Sequence, residues 1–186
     1  MARLTYSMSV SLDGYVEDAD GKFDWSAPDE EVHTFVNDLH RGVGTFLLGR
    51  RIHDELTYWD DPPDLDEQPS CVQDFAAIWQ AADKVVYSRT LEALRTERTR
   101  VESAFDPEAV RRMKSQSERD LGIGGPELAA QAIEAGLVDD VQLFVVPIVL
   151  GAGKPALPLD RRLALTLQDE RRFANGTLFL HYRTRA

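Results

Sequence analysis

The chain has a single cysteine, Cys71, among its 186 residues, so no intrachain disulfide can form and no cysteine-based metal site is in view. Its four histidines, His33, His40, His53 and His181, make no metal-type pair. His33 and Asp29 stand one helical turn apart, a spacing that reads as a surface pair. No apolar run approaches the roughly 18 residues of a membrane span. The first residues also lack the apolar stretch of a secretory leader. Basic residues are scarce, 21 against 32 acids, which leaves a net charge of -11. Such a surface repels nucleic-acid backbones and anionic membrane, so neither is an expected partner. A phosphate ligand stays open, because a few local cations and backbone N–H groups suffice to hold one. The expected compartment is the reducing cytoplasm. There is no Gly-x-Ser-x-Gly elbow, no Gly-x-Gly-x-x-Gly fingerprint and no Gly-Lys-Ser/Thr ending.

What is present suits one folded domain over residues 1–186, with 43% hydrophobic and 28% charged residues. Residues 4–10 alternate as a first strand, broken at Asp13-Gly14, and residues 17–24 read as a surface loop. Ser26 is placed to cap a helix with Pro28 in its first turn. Val32, Phe35, Val36 and Leu39 then fall on one helical face, and Gly42 and Gly44 end it. Short strands are predicted over residues 45–48, 84–88 and 99–102, with helices over 72–81 and 107–114 and a loop over 60–70. Residues 121–125 lead through glycines into a helix over 126–135, stopped by Gly136. Residues 141–150, the most apolar run, predict a central strand, and residues 164–167 and 177–182 two closing strands joined across Asn175-Gly176. Strands interleaved with helices, then two strands in succession, argue an α/β fold, mostly parallel with an antiparallel edge.

Three strand ends carry the chemistry. Gly122-Ile123-Gly124-Gly125-Pro126-Glu127-Leu128 lets a ligand approach the backbone and offers it a helix N-terminus. A bare strand-to-helix turn would look the same. Gly49-Arg50-Arg51 places two guanidinium groups after a second strand, where they could fork onto phosphate or stand in solvent. Ser88-Arg89-Thr90 repeats the theme after a third. Together these ends suggest one crevice at the carboxyl edge of a sheet. No residue is a self-sufficient catalyst, which fits chemistry carried by a cofactor.

Five motifs occur in order: Ser11-Leu12-Asp13-Gly14-Tyr15, Leu48-Gly49-Arg50-Arg51, Val86-Tyr87-Ser88-Arg89-Thr90-Leu91, Gly124-Gly125-Pro126-Glu127-Leu128, and Val146-Pro147 through Gly151-Ala152-Gly153-Lys154-Pro155. Over nearly the whole chain this order resembles the dihydrofolate reductase superfamily. It is most similar to the C-terminal reductase domain of the riboflavin deaminase–reductase and its stand-alone relatives. The resemblance implies a dihydrofolate-reductase-like sheet of about eight strands flanked by helices, with NADPH across the strand ends. Ile123, Gly124, Gly125, Pro126, Glu127 and Leu128 would then hold the pyrophosphate. Gly49, Arg50, Arg51, Ser88 and Arg89 would surround the adenosine side and its 2′-phosphate. The Ser11–Tyr15 segment with Asp13 and Tyr15, the loop after it with Trp25, and Phe35 would lie near nicotinamide and a small heterocyclic substrate, pyrimidine- or pterin-like. A substrate-side acid is implied early in the helix after Trp25. Counting from Trp25 picks Glu30; the helical wheel, with Asp29 and Glu31 flanking the buried stripe, favours Glu31 as the catalytic group. A solvated acidic first turn would serve the helix dipole equally well. The resemblance and the apolar run at Phe144, Val145 and Val146 imply a homodimer. A zinc-deaminase Cys/His motif is absent.

Overall fold

The first strand shows how the sheet is made. Leu4 and Tyr6 are fully buried while Thr5 and Ser7 beside them are only half-buried, the period-two pattern of a strand. The computed structural model describes residues 1–91, 98–158 and 162–185. In chain order it contains β1 (Leu4–Ser11), β2 (Tyr15–Asp18), α1 (Glu30–His40), β3 (Val43–Gly49), α2 (Arg50–Leu56), α3 (Ser70–Ala81) and β4 (Asp83–Tyr87). There follow β5 (Thr99–Glu102), α4 (Pro107–Gln116), β6 (Asp120–Gly124), α5 (Pro126–Glu134), β7 (Asp140–Val146), β8 (Gly153–Pro155), β9 (Leu165–Arg172) and β10 (Leu178–Thr184). Eight strands form one sheet in the order β5-β4-β3-β6-β1-β7-β10-β9, and β2 pairs with β8 in a small second sheet. The first six strands of that order run parallel, whereas β10 runs antiparallel to both its neighbours, β7 and β9. This is the expected mostly parallel sheet with an antiparallel edge.

Alternation sends neighbouring side chains to opposite faces, each with its own core. Leu47 of β3 joins Tyr6, Val85, Leu121 and Ile123 under Val110 of α4 and Leu128, Ala129 and Ala132 of α5. Phe46 and Leu48 join Phe75 and Trp79 of α3 on the other face. On that same side Val32 and Phe35 of α1 pack onto Phe144, Phe173 and Phe179.

The structure departs from the sequence reading in four places. Asp29, not Ser26, caps α1 by accepting the Val32 N–H at 2.9 Å, and Ser26 donates instead to the Phe23 carbonyl. Gly44 lies inside β3, where a Cβ would stand 2.8 Å from the Arg119 side chain. The apolar run beginning at Val141 stops being strand after Val146, because Pro147 brings no N–H to a ladder. The edge strand β9 runs on to Arg172 through exposed polar residues, a composition that protects an open edge from further pairing. Two short elements went unread: α2, whose apolar stripe is only Ile52 and Leu56, and the β2–β8 pair, whose strands have four and three residues. Residues 92–97, 159–161 and 186 lie outside the described residues.

Polar ties lock helix to helix. Buried Asn37 of α1 donates to the Cys71 carbonyl and to Asp74 of α3, at 2.8 and 2.7 Å. Arg41 forks onto both Asp74 oxygens, each at 2.7 Å. The Arg41 guanidinium first, and the Asn37 amide after it, hold the Asp74 carboxyl below the usual carboxylate range. A depressed folded-state pKa contributes stability that is present above the unfolded value of about 3.9 and lost as pH falls through the folded value. Asp74→Ala should therefore lower the urea midpoint at about pH 7, and its gap from wild type should close as pH falls towards about pH 3. A gap that persists unchanged at the acidic end would show that charge is not what ties the two helices.

Candidate functional site

Where three parallel strands end side by side, their outgoing backbones meet. Leu48 stands opposite Gly124 and Gly49 opposite Tyr87. The chain leaves β3 straight into α2, with Gly49 as its extended N-cap residue. It leaves β6 through Gly125 at φ +92, a conformation an L side chain rarely adopts, and enters α5 at Pro126. A Cβ on Gly125 would lie 3.4 Å from Ile52 and 4.0 Å from the Gly49 nitrogen, so the two turns form one cradle. Gly124 has another reason to be glycine: a Cβ there would stand 2.9 Å from Leu48.

This edge opens into a cleft of about 700 Å³. Its β3 and β4 side carries Gly49, Arg50, Arg51, Ser88 and Arg89, and its β6 side Gly125, Pro126, Glu127 and Leu128. The sequence-predicted cofactor residues thus come together, except two. Ile123 is buried in the core on the α5 face, and Gly124 lies behind the lining. The adjacent arginines diverge. Arg50 donates to Thr90 at 2.6 Å and lies 3.5 Å from Asp54. Arg51 turns to Glu17 on β2, its two Nη groups at 3.4 and 3.2 Å from the carboxylate oxygens. Ser88 Oγ accepts the Thr90 and Leu91 N–H groups and fixes the turn after β4. Tyr87 also faces the cleft, its phenol pushed up to about 12 by burial, so at neutral pH it stays protonated.

The predicted substrate residues are placed differently. Asp13 accepts the Leu150 and Gly151 N–H groups at 3.1 and 2.7 Å. Hydrogen bonding from Ser11, then from those two amides, holds its carboxyl below the usual range. Asp13 therefore pins a turn. Tyr15 pairs with Pro155 in the small sheet, while its successors Val16 and Glu17 line the cleft. Trp25 donates to the Lys22 carbonyl, and its neighbours Phe23 and Ser26 are the ones at the cleft. Phe35 belongs to the aromatic core, 4.9 Å from the Phe179 ring. Glu31 lies outside the lining: it accepts from Arg171 at 3.1 Å and from the Ala174 N–H at 3.0 Å, tying α1 to the β9–β10 hairpin.

Sequence reasoning did not single out Met8 and Ser9 of β1, Val16 and Glu17 of β2, or Phe105. Met8 and Ser9 carried a weak signal, being at the carboxyl half of a strand. The others reach the cleft only through long-range pairing. Among the described residues there is no cluster of His, Cys, Asp and Glu fit for a metal ion, and no helix long and apolar enough to cross a membrane.

Glycines, arginines and one helix start gather at the carboxyl edge of an open α/β sheet, the edge where such sheets commonly take ligands. The chain belongs to the RibD C-terminal domain family, whose profile matches residues 2–179. It is 28% identical over 182 residues to the Bacillus subtilis protein YyaP, covering 97% of this chain and 94% of that one. Among solved structures it resembles a Shewanella sp. PV-4 protein with a TM-score of 0.76 at 21% identity, covering 100% of both chains. It also resembles the Thermotoga maritima diaminohydroxyphosphoribosylaminopyrimidine deaminase/5-amino-6-(5-phosphoribosylamino)uracil reductase, with a TM-score of 0.66 at 15% identity. That likeness covers 99% of this chain and 57% of the longer enzyme. At these identities the structural likeness shows the fold, which is dihydrofolate-reductase-like.

The placement of Glu31 has a measurable consequence. Glu31→Ala should cost about 0.5–1 kcal/mol of stability, the scale of an exposed ion pair plus a turn hydrogen bond, and leave ligand binding in the cleft unchanged. Chemical denaturation alongside a nucleotide titration checks both halves.

Proposed function

We propose that the protein is an NADPH-dependent reductase of a pyrimidine- or pterin-like heterocycle. The observation that carries this is the meeting of Gly49, Arg50, Ser88, Arg89 and Gly125 in one cleft at three adjacent strand ends. Membership of the RibD C-terminal domain family supports it, as does the reductase half of the Thermotoga enzyme's activity.

The residues present fit the cofactor. Gly125, free of a Cβ and facing the Gly49 backbone, leaves room for a pyrophosphate against the start of α5. The Glu127 and Leu128 N–H groups there have no intrahelical partner, whereas Pro126 has no N–H to give. Arg50 and Arg89 would take the 2′-phosphate, with Ser88 holding the turn between them. NADPH, when bound, supplies a hydride to the electron-poor carbon of a C=N or C=O group. The chain's part is positioning. Met8, Val16 and Phe23 offer apolar walls for a flat ring, and Ser9 and Ser26 offer hydroxyls to its polar edge. Solvent at the open mouth supplies the proton. A dihydrofolate reductase proper would present a pterin-binding acid from the first turn of α1; Asp29, Glu30 and Glu31 are all absent from the lining. NADPH being an intracellular reductant, the reading carries a cytoplasmic location.

We further propose a homodimer through the outer face of the antiparallel edge. Leu178 and Tyr182 of β10 share a face with Leu167 of β9, and Leu167 and Leu178 are 47% and 41% exposed. Sedimentation at micromolar concentration should show a dimer, and Leu167→Lys with Leu178→Lys should give monomers. A monomeric wild type refutes the assembly without touching the chemistry.

The cofactor reading is tested by titrating NADPH and NADH into wild type and an Arg50→Ala, Arg89→Ala double variant. Each charge-assisted contact contributes about 1.5–3 kcal/mol. Losing one arginine should weaken NADPH about ten-fold or more. NADH, which lacks the phosphate, should lose much less. Wild-type protein that binds the two nucleotides equally would refute the claim.

A further inference from the structure

The cleft lining among the described residues carries four cations, Arg50, Arg51, Arg89 and Lys154, and three acids, Glu17, Glu55 and Glu127. Their pairing divides the cleft. At the β3 and β4 ends, Arg50 leans on the Thr90 hydroxyl and on an exposed Asp54, and Arg89 has no carboxylate partner among the described residues. At the other end the cations are already answered. The Glu17 side chain, 17% exposed, lies 3.2 Å from the Arg51 guanidinium and 3.1 Å from Lys154 Nζ. Lys154 also meets Glu127 at 3.2 Å.

The backbone builds this arrangement. Glu17 of β2 is the register partner of Lys154 of β8, so their side chains are cross-strand neighbours. The strands approach closely enough that a Cβ on Gly153, at φ +154, would stand 1.9 Å from the Glu17 carbonyl oxygen. Glu17 and Lys154 therefore meet because the small sheet can pair only with glycine at 153.

Resting on the reading of this cleft as a nucleotide-dependent reductase site, we propose that Glu17 is a specificity residue that restricts the substrate to an uncharged heterocycle without a phosphate-bearing tail. The cofactor's phosphates have Arg50, Arg89 and the start of α5. A second phosphate, on the substrate, would find Arg51 and Lys154 engaged and a carboxylate between them. Such a group must either displace Glu17 from both cations or bear its repulsion. A neutral ring against Met8, Val16 and Phe23 leaves the network intact.

The test uses whole protein saturated with NADP+, with ribose 5-phosphate and ribose as probes in calorimetric titration. Wild type should not distinguish the two sugars. Glu17→Gln keeps the shape and removes the charge; it should favour ribose 5-phosphate over ribose by about ten-fold or more, the worth of one charge-assisted contact. Adding Lys154→Met should abolish that gain. A wild-type preference for ribose 5-phosphate of about three-fold or more overturns the proposal, and this arm stands even if Glu17→Gln does not fold. A folded Glu17→Gln protein without the gain overturns it too. The NADP+ isotherm is recorded first. Its absence would refute the cofactor reading alone, and the two sugars would then be compared on the Arg50→Ala, Arg89→Ala protein, whose other anion site is removed.

Discussion

The site depends on one pairing, that of β3 with β6. With Leu48 opposite Gly124, the next residues on the two strands, Gly49 and Gly125, emerge side by side at the sheet edge. The β6 turn is the constrained one: Leu48 fills the space a side chain at 124 would need and Gly125 sits at φ +92 beside Ile52, whereas a Cβ on Gly49 would meet nothing within 4 Å. A one-residue slip would send Leu48 to the opposite face and put its neighbours into the wrong core. The register that packs Phe46 and Leu48 against α3 and Leu47 against α5 thus also aligns the two glycine turns. Core and cleft are set by the same hydrogen-bond ladder.

The second half of the cleft is made by a weaker device. β2 and β8 share few residues, and two strands alone are marginal in water. What steadies them is burial of Val16 and Ala156 against Val10 of β1, together with the Asp13 carboxylate that holds the Leu150 and Gly151 amides. The Tyr6 hydroxyl adds a buried bond to the Ala156 carbonyl at 2.9 Å, and burial pushes that phenol's pKa far up. The β2–β8 side of the cleft is therefore a thin layer hung on β1, whereas the β4–β3–β6 side is cut from the main sheet.

That difference explains what the sequence made legible. The inner strands β3, β4, β6 and β7 carry short apolar runs bounded by glycine or charge, β1 alternates, and helices α1, α3, α4 and α5 show an apolar stripe over nine or more residues. These are local patterns, so the strand ends and their Gly, Arg and Ser residues could be placed without coordinates. Glu17 and its pairing with Lys154 could not. They are brought together across a small sheet whose strands are too short for periodicity to register, and Glu17 stood in a stretch that read as loop. The α2 helix escaped for the same reason, so Arg50 and Arg51 looked like neighbours at a strand end. On the first turn of a helix successive side chains diverge by about 100°, which is why one arginine meets Thr90 and the other Glu17.

The acids at the start of α1 show how one pattern can serve two ends. Asp29, Glu30 and Glu31 stand where a resemblance implies a substrate-binding carboxylate, and where any helix start favours negative charge. Asp29 spends its carboxylate on the Val32 N–H, and Glu31 reaches the β9–β10 hairpin. The reason is geometric. Phe35, one turn after Glu31, packs between Phe173 and Phe179, so the stripe that includes Glu31 faces the antiparallel edge. Arg171 covers the Phe35 and Phe173 rings at 4.9 and 4.7 Å, and the same guanidinium meets Glu31. An acid at that position closes the aromatic core against solvent. The charges that line the cleft come instead from β2, α2, the turn after β4, β8 and α5, and none from the helix the resemblance points to.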